Sequence, residues 1–392
     1  MNIYKRFTLL GRSEWAPAVA VAINLALAYL AYFATRLIFL AVNYSYFAEG
    51  LSGGHLAEML RGGLVFDTSA IMYTNALYIL LMLLPLHLKE RPAYQRLCKW
   101  VFVAVNGLAV IMNLADTVYF QFTSRRTTST VFSEFSHESN IGGIIASELA
   151  AHWYLWLAGI ALIAMLWTLS ATSRLDRRRL VWWRYSAATG VSLAVMAVLC
   201  VGGMRGGFAH AVRPVTVSNA NQYVDRPIEA ALVLNTPFSV LRTIGKNVYA
   251  DPHYFASERE AMALYTPLHQ PAAGVKFNRK NVVVIIIESF GKEYIGSMNR
   301  QLEGGRYRGY TPFTDSLAAH SATFRYSFAN GRKSIDAMPS VLSSIPMFVE
   351  PFFLTPASMN HLTGLAGVLD AKGYRTAFFH GAQNGSMGFQ AF

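Results

Sequence analysis

The chain has 392 residues, 53% of them hydrophobic, and its mean hydropathy is +0.30. This composition excludes an ordinary soluble globular protein and predicts several membrane-spanning segments. The formal net charge of +12 needs no nucleic-acid partner, because many of the basic residues lie in short loops beside the apolar runs.

Five apolar runs have the length of transmembrane helices, about 20 residues each. The first run is too long for the core of a signal peptide and has no convincing small-residue cleavage site, so we expect it to remain as a signal anchor. The predicted spans make up a membrane domain at 1–204 and lie near residues 17–42, 66–87, 99–120, 153–173 and 184–204.

Basic residues are distributed unevenly between the loops. The positive-inside rule predicts a cytoplasmic N-terminus, and an odd number of spans then places everything after residue 205 outside the cytoplasm. We therefore expect a multi-pass protein of the cell (cytoplasmic) membrane with an extracytoplasmic catalytic domain. The loops predicted to be cytoplasmic contain Lys5, Arg6, Arg12, Lys89, Arg91, Arg96, Lys99, Arg174, Arg177, Arg178, Arg179 and Arg184, and the outer loops only Arg61, Arg125 and Arg126.

Three charged residues lie near the outer ends of the predicted spans: Arg36, Asp67 and Asp116. Charges at this depth are rare and are usually paired or functional. One interpretation is a polar notch that receives a lipid headgroup. The other is an arginine that snorkels beside two interfacial carboxylates. The sequence leaves both open.

The two cysteines, Cys98 and Cys200, are predicted near opposite faces of the membrane. A disulfide needs Cα atoms within about 7 Å, so these residues are not expected to pair.

Residues 205–274 are predicted to connect the membrane domain to the catalytic domain. Within them, 227–246 has the pattern of an amphipathic helix interrupted near Pro237. A packed connector is favoured over a helix lying on the outer membrane surface, because amphipathicity alone rarely identifies a surface helix.

Residues 275–392 predict an α/β domain. Six β-branched residues at 282–287 favour a strand buried on both faces of a mostly parallel sheet, and Glu288 follows it. Further strands at 322–330 and 375–379 lead to Ser334, at a helix start, and to His380. A βαβα order would bring these three side chains to one sheet edge, where ligands gather. Taken singly, each has a structural alternative: a solvated loop, an N-cap and a loop histidine.

These residue types favour transfer of a phosphoryl or sulfuryl group. Glu288 offers a hard oxygen ligand, and the helix start at Ser334 favours an anion. Arg332 and Lys333 add positive charge beside that hydroxyl. A serine is a poor nucleophile unless a base or metal ion activates it, so metal-assisted chemistry is expected.

Four blocks of sequence resemble the sulfatase-like domain of the lipoteichoic acid synthase family, in the alkaline phosphatase superfamily: NVVVIIIESFG, YTPFTDSL, FANGRKSIDAMPSVLSSIP and FFHGAQNGSMGF. The resemblance implies that Glu288 and Ser334 bind a divalent cation, usually manganese, with magnesium or zinc as alternatives. It implies that Ser334 is the nucleophile that becomes a covalent phospho-group carrier. It also implies that His380 binds substrate, and Arg332 and Lys333 would add positive charge to that site.

The chain departs from this family in two places. Met387 and Phe389 stand where the classical members have a Trp and an Arg that hold glycerol phosphate. The family's Asp-His pair, which supplies the remaining metal ligands, does not occur in these 392 residues. The expectation is an incomplete α/β domain in a truncated chain.

The sequence therefore predicts a metal-dependent membrane transferase. It would move a phosphoglycerol- or phosphoethanolamine-type group from a membrane phospholipid to an envelope glycan or lipid acceptor. A membrane-anchored sulfatase or phosphodiesterase, in which water replaces the acceptor, is the alternative enzyme. A third hypothesis is an inactive fragment that lacks the Asp-His ligands.

Overall fold

The structure is a computed structural model. It describes residues 14–49, 51–85, 87–131, 147–148, 150–173, 175, 181–208, 214–246, 253–266, 274, 277–324, 326–329, 331, 333–347 and 351–381. The chain forms two compact units. The first comprises Met1–Lys246, Phe353–Leu362 and Ala377–Phe392, and the second comprises Asn247–Phe352 and Thr363–Thr376.

The described part of the first unit is helical. Its α-helices are α1 (Ala16–Val42), α2 (Tyr44–Phe47), α3 (Gly53–Thr74), α4 (Ala76–Leu83), α5 (Pro92–Thr123), α6 (Trp153–Leu169), α7 (Trp182–Arg205), α8 (Ala230–Val233) and α9 (Thr236–Thr243). Short 3-10 helices occur at His87–Glu90, Val217–Tyr223, Pro227–Glu229 and Pro356–Met359.

In the part of the chain that the structure describes, three helices, α1, α5 and α7, are long and apolar enough to cross a membrane. The pair α3 and α4 qualifies as a fourth only as one broken span, because the two helices meet at 57°. Helix α6 has 17 residues and is shorter than a standard span. The prediction of five transmembrane helices is thus not confirmed, although helices occur at all five predicted positions.

Asn75 lies at the break between α3 and α4. Its amide donates to Ile71 O at 3.1 Å and exchanges hydrogen bonds of 2.7 and 3.2 Å with the buried amide of Asn106 on α5. A buried amide requires such partners, and the bend lets Asn75 reach them. The predicted span at 66–87 therefore corresponds to the second half of α3 followed by α4.

Exposed tryptophans lie near the ends of the apolar helices. Trp15, Trp100, Trp182 and Trp183 are at ends predicted to be cytoplasmic, and Trp153 is at an end predicted to be outer. Tryptophan is enriched at both membrane interfaces, so this distribution fits helices embedded in a bilayer. Neither Cys98 nor Cys200 forms a disulfide, as predicted.

Small residues allow close helix contacts in the first unit. A Cβ at Gly203 on α7 would overlap Met72 on α3, and Gly159 on α6 faces Leu114 on α5. Glycines of this kind let helix backbones approach each other within membranes. Phe39, Phe47 and Phe120 form an aromatic cluster between α1, α2 and α5, with Phe39 and Phe120 centroids 5.0 Å apart.

The connector packs inside the first unit. Helices α8 and α9 are almost fully buried, with Leu232, Val233, Leu234 and Phe238 at 0% exposure. This confirms the packed-connector interpretation, and the surface-helix alternative is wrong. A surface helix would leave one polar face in water along its length, whereas residues 229–240 are buried throughout and exposure begins at Leu241, near the end of α9.

The second unit contains four described α-helices: α10 (Glu258–Leu264), α11 (Pro312–Ala319), α12 (Ser334–Ser343) and α13 (Leu365–Asp370). Its 3-10 helices are Lys292–Tyr294, Gly296–Met298 and Leu302–Gly305, and a further one, Phe352–Leu354, spans the sequence boundary between the units at Phe352. Within the described ranges no β-strand is assigned, so the predicted α/β fold is not confirmed.

The run at 282–287 is the clearest departure from the prediction. Its backbone belongs to no assigned strand, and its side chains are exposed, from 43% at Val284 to 81% at Val283. The expectation of a strand buried on both faces is therefore wrong for this structure. A central strand is stabilised by neighbouring strands and covering helices, and none is described beside this run.

Candidate functional site

Glu288 follows the extended run and begins a turn. Its side chain is exposed, and the next residue, Ser289, has a φ of 56°. A non-glycine residue in the left-handed region is uncommon and occurs often in turns and functional sites. The turn ends the apolar run at Glu288 and presents its carboxylate to solvent.

Ser334 is the first residue of α12, and Lys333, not Ser334, is the N-cap. The Ser334 side chain is half-buried and has no hydrogen bond to any residue that the structure describes. The N-cap alternative for Ser334 is therefore wrong, because a capping hydroxyl would accept from a backbone N–H of the first turn. Its hydroxyl stays available at the amino end of the helix, where unpaired N–H groups favour an anion.

Asp336 is a site residue that the sequence interpretation missed. It is 3% exposed, and its Oδ2 accepts a hydrogen bond from Lys333 N–H at 3.2 Å. Lys333 O accepts in return from Asp336 N–H at 2.9 Å. The signal in the sequence was an acidic residue three positions after the N-cap, which is the capping-box spacing.

The predicted substrate-binding residues are distributed differently. Lys333 is exposed beside Ser334, while Arg332 lies outside the described residues. His380 belongs to the first unit, where its ring stacks on Phe378 with centroids 6.3 Å apart. Glu288 and Ser334 belong to the second unit. The predicted grouping of Glu288, Ser334 and His380 is thus not observed within either unit, and their roles stay predictions.

A divalent cation would find suitable donor chemistry but no complete site in the described residues. Glu288 and the Ser334 hydroxyl are hard oxygen donors of the kind that manganese and magnesium prefer. However, the described residues contain no group of three or more His, Cys, Asp or Glu side chains placed to hold a metal ion. Two oxygen donors are fewer than the about six that magnesium or manganese takes, so these residues supply only part of a metal centre.

The YTPFTDSL block forms a folded loop with the preceding segment. Asp315, in the first turn of α11, accepts from Ser297 N–H at 2.9 Å, and Tyr310 N–H donates to Tyr294 O at 2.8 Å. Hydrogen bonds from Ser297 lower the pKa of Asp315 below its ordinary value. Gly309, with a φ of 64°, packs against the backbone of Gly296, where a side chain would collide. The Asp315 carboxylate therefore stabilises this loop through its hydrogen bond with Ser297.

A second polar cluster lies in the first unit. Arg36 pairs with Asp67, and its guanidinium also donates to the carbonyls that end α8, including Val233 O at 2.7 Å. Asn235 is the N-cap of α9 and donates its side-chain amide to Asp67 at 2.9 Å. The buried Arg36–Asp67 pair thus contacts the chain on both sides of the break between α8 and α9: Arg36 at the end of α8 and Asp67 at the N-cap of α9.

Asp116 has its own partner, Arg126, at 3.2 Å. It also accepts from Thr236 Oγ1 at 2.7 Å. The three charges expected at one depth are therefore paired and buried, and the snorkelling alternative is wrong. The space of the expected headgroup notch is occupied by the chain's own segment 230–243. Irregular backbone is tolerated within a membrane protein when it is buried in this way.

A third cluster joins the connector to the start of α3. Glu229 is buried and accepts from His55 Nε2 at 2.9 Å and from Arg226 Nε at 2.8 Å. Burial alone would raise the pKa of Glu229, but the hydrogen bonds from His55 and Arg226 outweigh it and the pKa is lowered. Asp225 lies 3.5 Å from the other His55 nitrogen and is exposed.

Residues 280–392 match the family model Sulfatase. No curated protein and no solved structure gives a significant match. The family match supports a sulfatase-like member of the alkaline phosphatase superfamily. Together with the three candidate spans, it indicates a membrane protein with a helical N-terminal region and a C-terminal sulfatase domain.

Proposed function

We propose that this protein is a membrane-bound transferase that uses Ser334 to move a phospho-alcohol group from a phospholipid to an extracytoplasmic glycan or lipid acceptor. The observation that carries the proposal is the unengaged Ser334 hydroxyl at the start of α12, inside the segment that matches the sulfatase family. Candidate membrane helices earlier in the chain support a donor that resides in the membrane.

The reaction has two displacement steps. Ser334 Oγ attacks the phosphorus of the donor's phosphodiester and loses its proton, and the bond from phosphorus to the diacylglycerol oxygen breaks. Diacylglycerol leaves as an alcohol after protonation, and the phospho-alcohol group stays on Ser334. An acceptor hydroxyl then attacks phosphorus, and Ser334 Oγ leaves and regains a proton. This covalent route divides one difficult displacement into two easier ones.

The surroundings of Ser334 are suited to a phosphoryl group. The N–H groups of Ser334 and Ile335, in the first turn of α12, have no partner within the helix and favour an anion at the helix start, and exposed Lys333 adds a positive charge. Glu288 would provide an oxygen ligand for a divalent cation, expected to be manganese, with magnesium or zinc as alternatives. Such an ion supplies charge neutralisation at the transferred phosphate.

Hydrolysis is the second candidate, because the sulfatase match applies equally to enzymes in which water accepts the group. Donor headgroup and acceptor class are proposed from the resemblance in four sequence blocks. The catalytic domain is proposed to lie outside the cytoplasm, and no nucleic-acid partner is proposed.

The experiment is turnover of labelled phosphatidylglycerol and phosphatidylethanolamine by the full chain in nanodiscs. Released diacylglycerol is measured, and mass spectrometry detects the headgroup adduct on the peptide that contains Ser334. We expect Ser334→Ala to abolish the adduct and to lower turnover by at least about 100-fold. Ser316→Ala, an exposed serine of α11, is the matched control and should behave as wild type. Wild-type turnover by Ser334→Ala would overturn the proposal, and transfer to water alone would favour the hydrolase.

A further inference from the structure

We infer that Asp336 is a positioning residue for Ser334, an inference that rests on the proposed function. Asp336 lies in the same first turn of α12 as the nucleophile, two positions further along the chain. It does not need to touch the substrate for this role. It acts by fixing the backbone that carries the Ser334 hydroxyl.

The first observation is a reciprocal pair of hydrogen bonds around Ser334. Asp336 Oδ2 accepts from Lys333 N–H at 3.2 Å, and Asp336 N–H donates to Lys333 O at 2.9 Å. These two bonds close the backbone from 333 to 336 into a ring that contains Ser334. The ring fixes the direction in which the Ser334 Cα–Cβ bond leaves the helix.

The second observation concerns Gly331, on the other side of the loop. A Cβ at Gly331 would overlap the Cβ and carboxylate of Asp336. Only a residue without a side chain fits there, so the loop backbone lies directly against the Asp336 side chain. Asp336 therefore contacts the loop before the nucleophile and the residue that caps its helix.

The third observation distinguishes positioning from simple helix stabilisation. Asp336 Oδ1 is buried and has no hydrogen-bond partner among the residues that the structure describes. Burying a carboxylate oxygen without a partner costs more than a single capping bond returns. An exposed cap would have kept that oxygen in water at no such cost. The burial is therefore better explained by a geometric requirement at Ser334 than by stability.

The test uses the full chain in nanodiscs with labelled phosphatidylglycerol or phosphatidylethanolamine, whichever the wild type turns over. We expect Asp336→Ala to lower kcat by about 10- to 100-fold and to leave KM within about 2-fold, because a misplaced nucleophile affects the chemical step more than binding. Asp336→Asn keeps an oxygen acceptor for Lys333 N–H and should restore kcat to within about 3-fold of wild type. Hydrogen exchange of the peptide containing 333–336 should be faster in Asp336→Ala and unchanged in Asp336→Asn.

The matched control is Asp315→Ala. Asp315 also accepts a backbone N–H in the first turn of a helix in the same unit, from Ser297. Its removal should accelerate exchange near Ser297 and leave kcat unchanged.

Two outcomes overturn the inference while the proposed function stands: wild-type kcat in Asp336→Ala, or an Asp336→Asn protein no more active than Asp336→Ala. A wild-type protein with neither turnover nor a Ser334 adduct removes the proposed function, and the inference falls with it.

Discussion

Arg126 Nη1 lies 3.2 Å from Asp116 Oδ2, and both side chains are almost completely buried, at 2% and 1% exposure. Arg126 Nε also donates to Ala231 O at 2.7 Å, and Thr236 Oγ1 donates to Asp116 at 2.7 Å. The pair therefore links the C-terminal end of α5 to the segment that contains α8 and α9. A buried pair of this kind is costly to break from one side, because the remaining buried charge loses its counter-charge.

The first prediction concerns this pair. We expect Asp116→Ala and Arg126→Ala each to lower the free energy of unfolding by about 3 to 5 kcal/mol, and the double variant to lose clearly less than the sum. Thermal unfolding in detergent of the wild type, the two single variants and the double variant completes this double-mutant cycle. The exposed pair of Glu58 and Arg61 is the control, and Glu58→Ala should leave the midpoint unchanged. Additive losses for Asp116 and Arg126 would show that the two side chains do not interact.

The second prediction concerns acid stability through Glu229. Its pKa in the folded protein lies below the ordinary value of 4.5, so the ionised form is favoured by folding. A lowered folded pKa contributes stability that is fully present above 4.5 and is lost as pH falls below 4.5 through the folded pKa. Thermal midpoints measured between about pH 3 and 7 should therefore fall at the acid end.

Glu229→Gln is the variant that tests this assignment. It should be less stable near neutral pH and should show a weaker decline toward acid, because the titrating group is gone. His55→Gln keeps the Glu229 carboxylate but removes one of its hydrogen-bond partners. The fall of its thermal midpoint toward acid pH should therefore be smaller than in wild type and larger than in Glu229→Gln. An unchanged acid decline in Glu229→Gln would assign the effect to other carboxylates.

The agreement between sequence and structure follows the range of the interactions involved. Helices at the five predicted positions were recovered because hydropathy and length are local properties. The connector's burial depended on contacts such as that of Arg36 with Leu232, 196 positions apart, which no local pattern contains. The run at 282–287 was expected to be buried because its composition is typical of central strands, yet burial of a strand requires neighbours from elsewhere in the fold.

In the candidate site, too, local features were predicted from the sequence and long-range contacts were not. The helix start near Ser334 was predicted from a local change of pattern and was found, but its N-cap is Lys333. Asp336 follows Lys333 at the capping-box spacing, but lysine is not a preferred N-cap residue, so the local pattern does not mark this pair. The grouping of His380 with Glu288 and Ser334 was predicted from the pairing of distant strands, which sequence spacing alone does not determine.

The third prediction tests orientation. A reporter that is active only outside the cytoplasm should be active when fused after residue 210 and silent when fused at residue 92 or 178. Fusions to a reporter active only inside should give the opposite pattern and control for expression. Activity at 178 with silence at 210 would reverse the topology and would contradict an external acceptor.

The fourth prediction concerns the metal. Glu288→Gln should lower manganese affinity by at least about 10-fold, because a neutral amide replaces a carboxylate ligand. Equilibrium dialysis of the purified protein against manganese measures the affinity of each variant. Glu293→Gln, at a nearby exposed carboxylate, should bind as wild type does. Removal of metal by a chelator should stop lipid turnover, and manganese should restore it. Equal manganese content in wild type and Glu288→Gln would remove Glu288 from the predicted ligands.

The last prediction concerns the loop that leads to Ser334. Gly331→Ala places a Cβ where the Asp336 side chain already lies, so either the loop or the first turn of α12 must move. We expect a loss of about 1 to 3 kcal/mol in unfolding free energy and a lower kcat for lipid turnover. Gly367→Ala is the matched control: Gly367 lies inside α13, and its Cβ would meet only a methyl group of Thr363 at 4.0 Å. That substitution should be neutral or stabilise the protein by up to about 1 kcal/mol, because alanine favours helix. If Gly331→Ala were as stable and as active as Gly367→Ala, the close packing of the loop on Asp336 would not exist in solution.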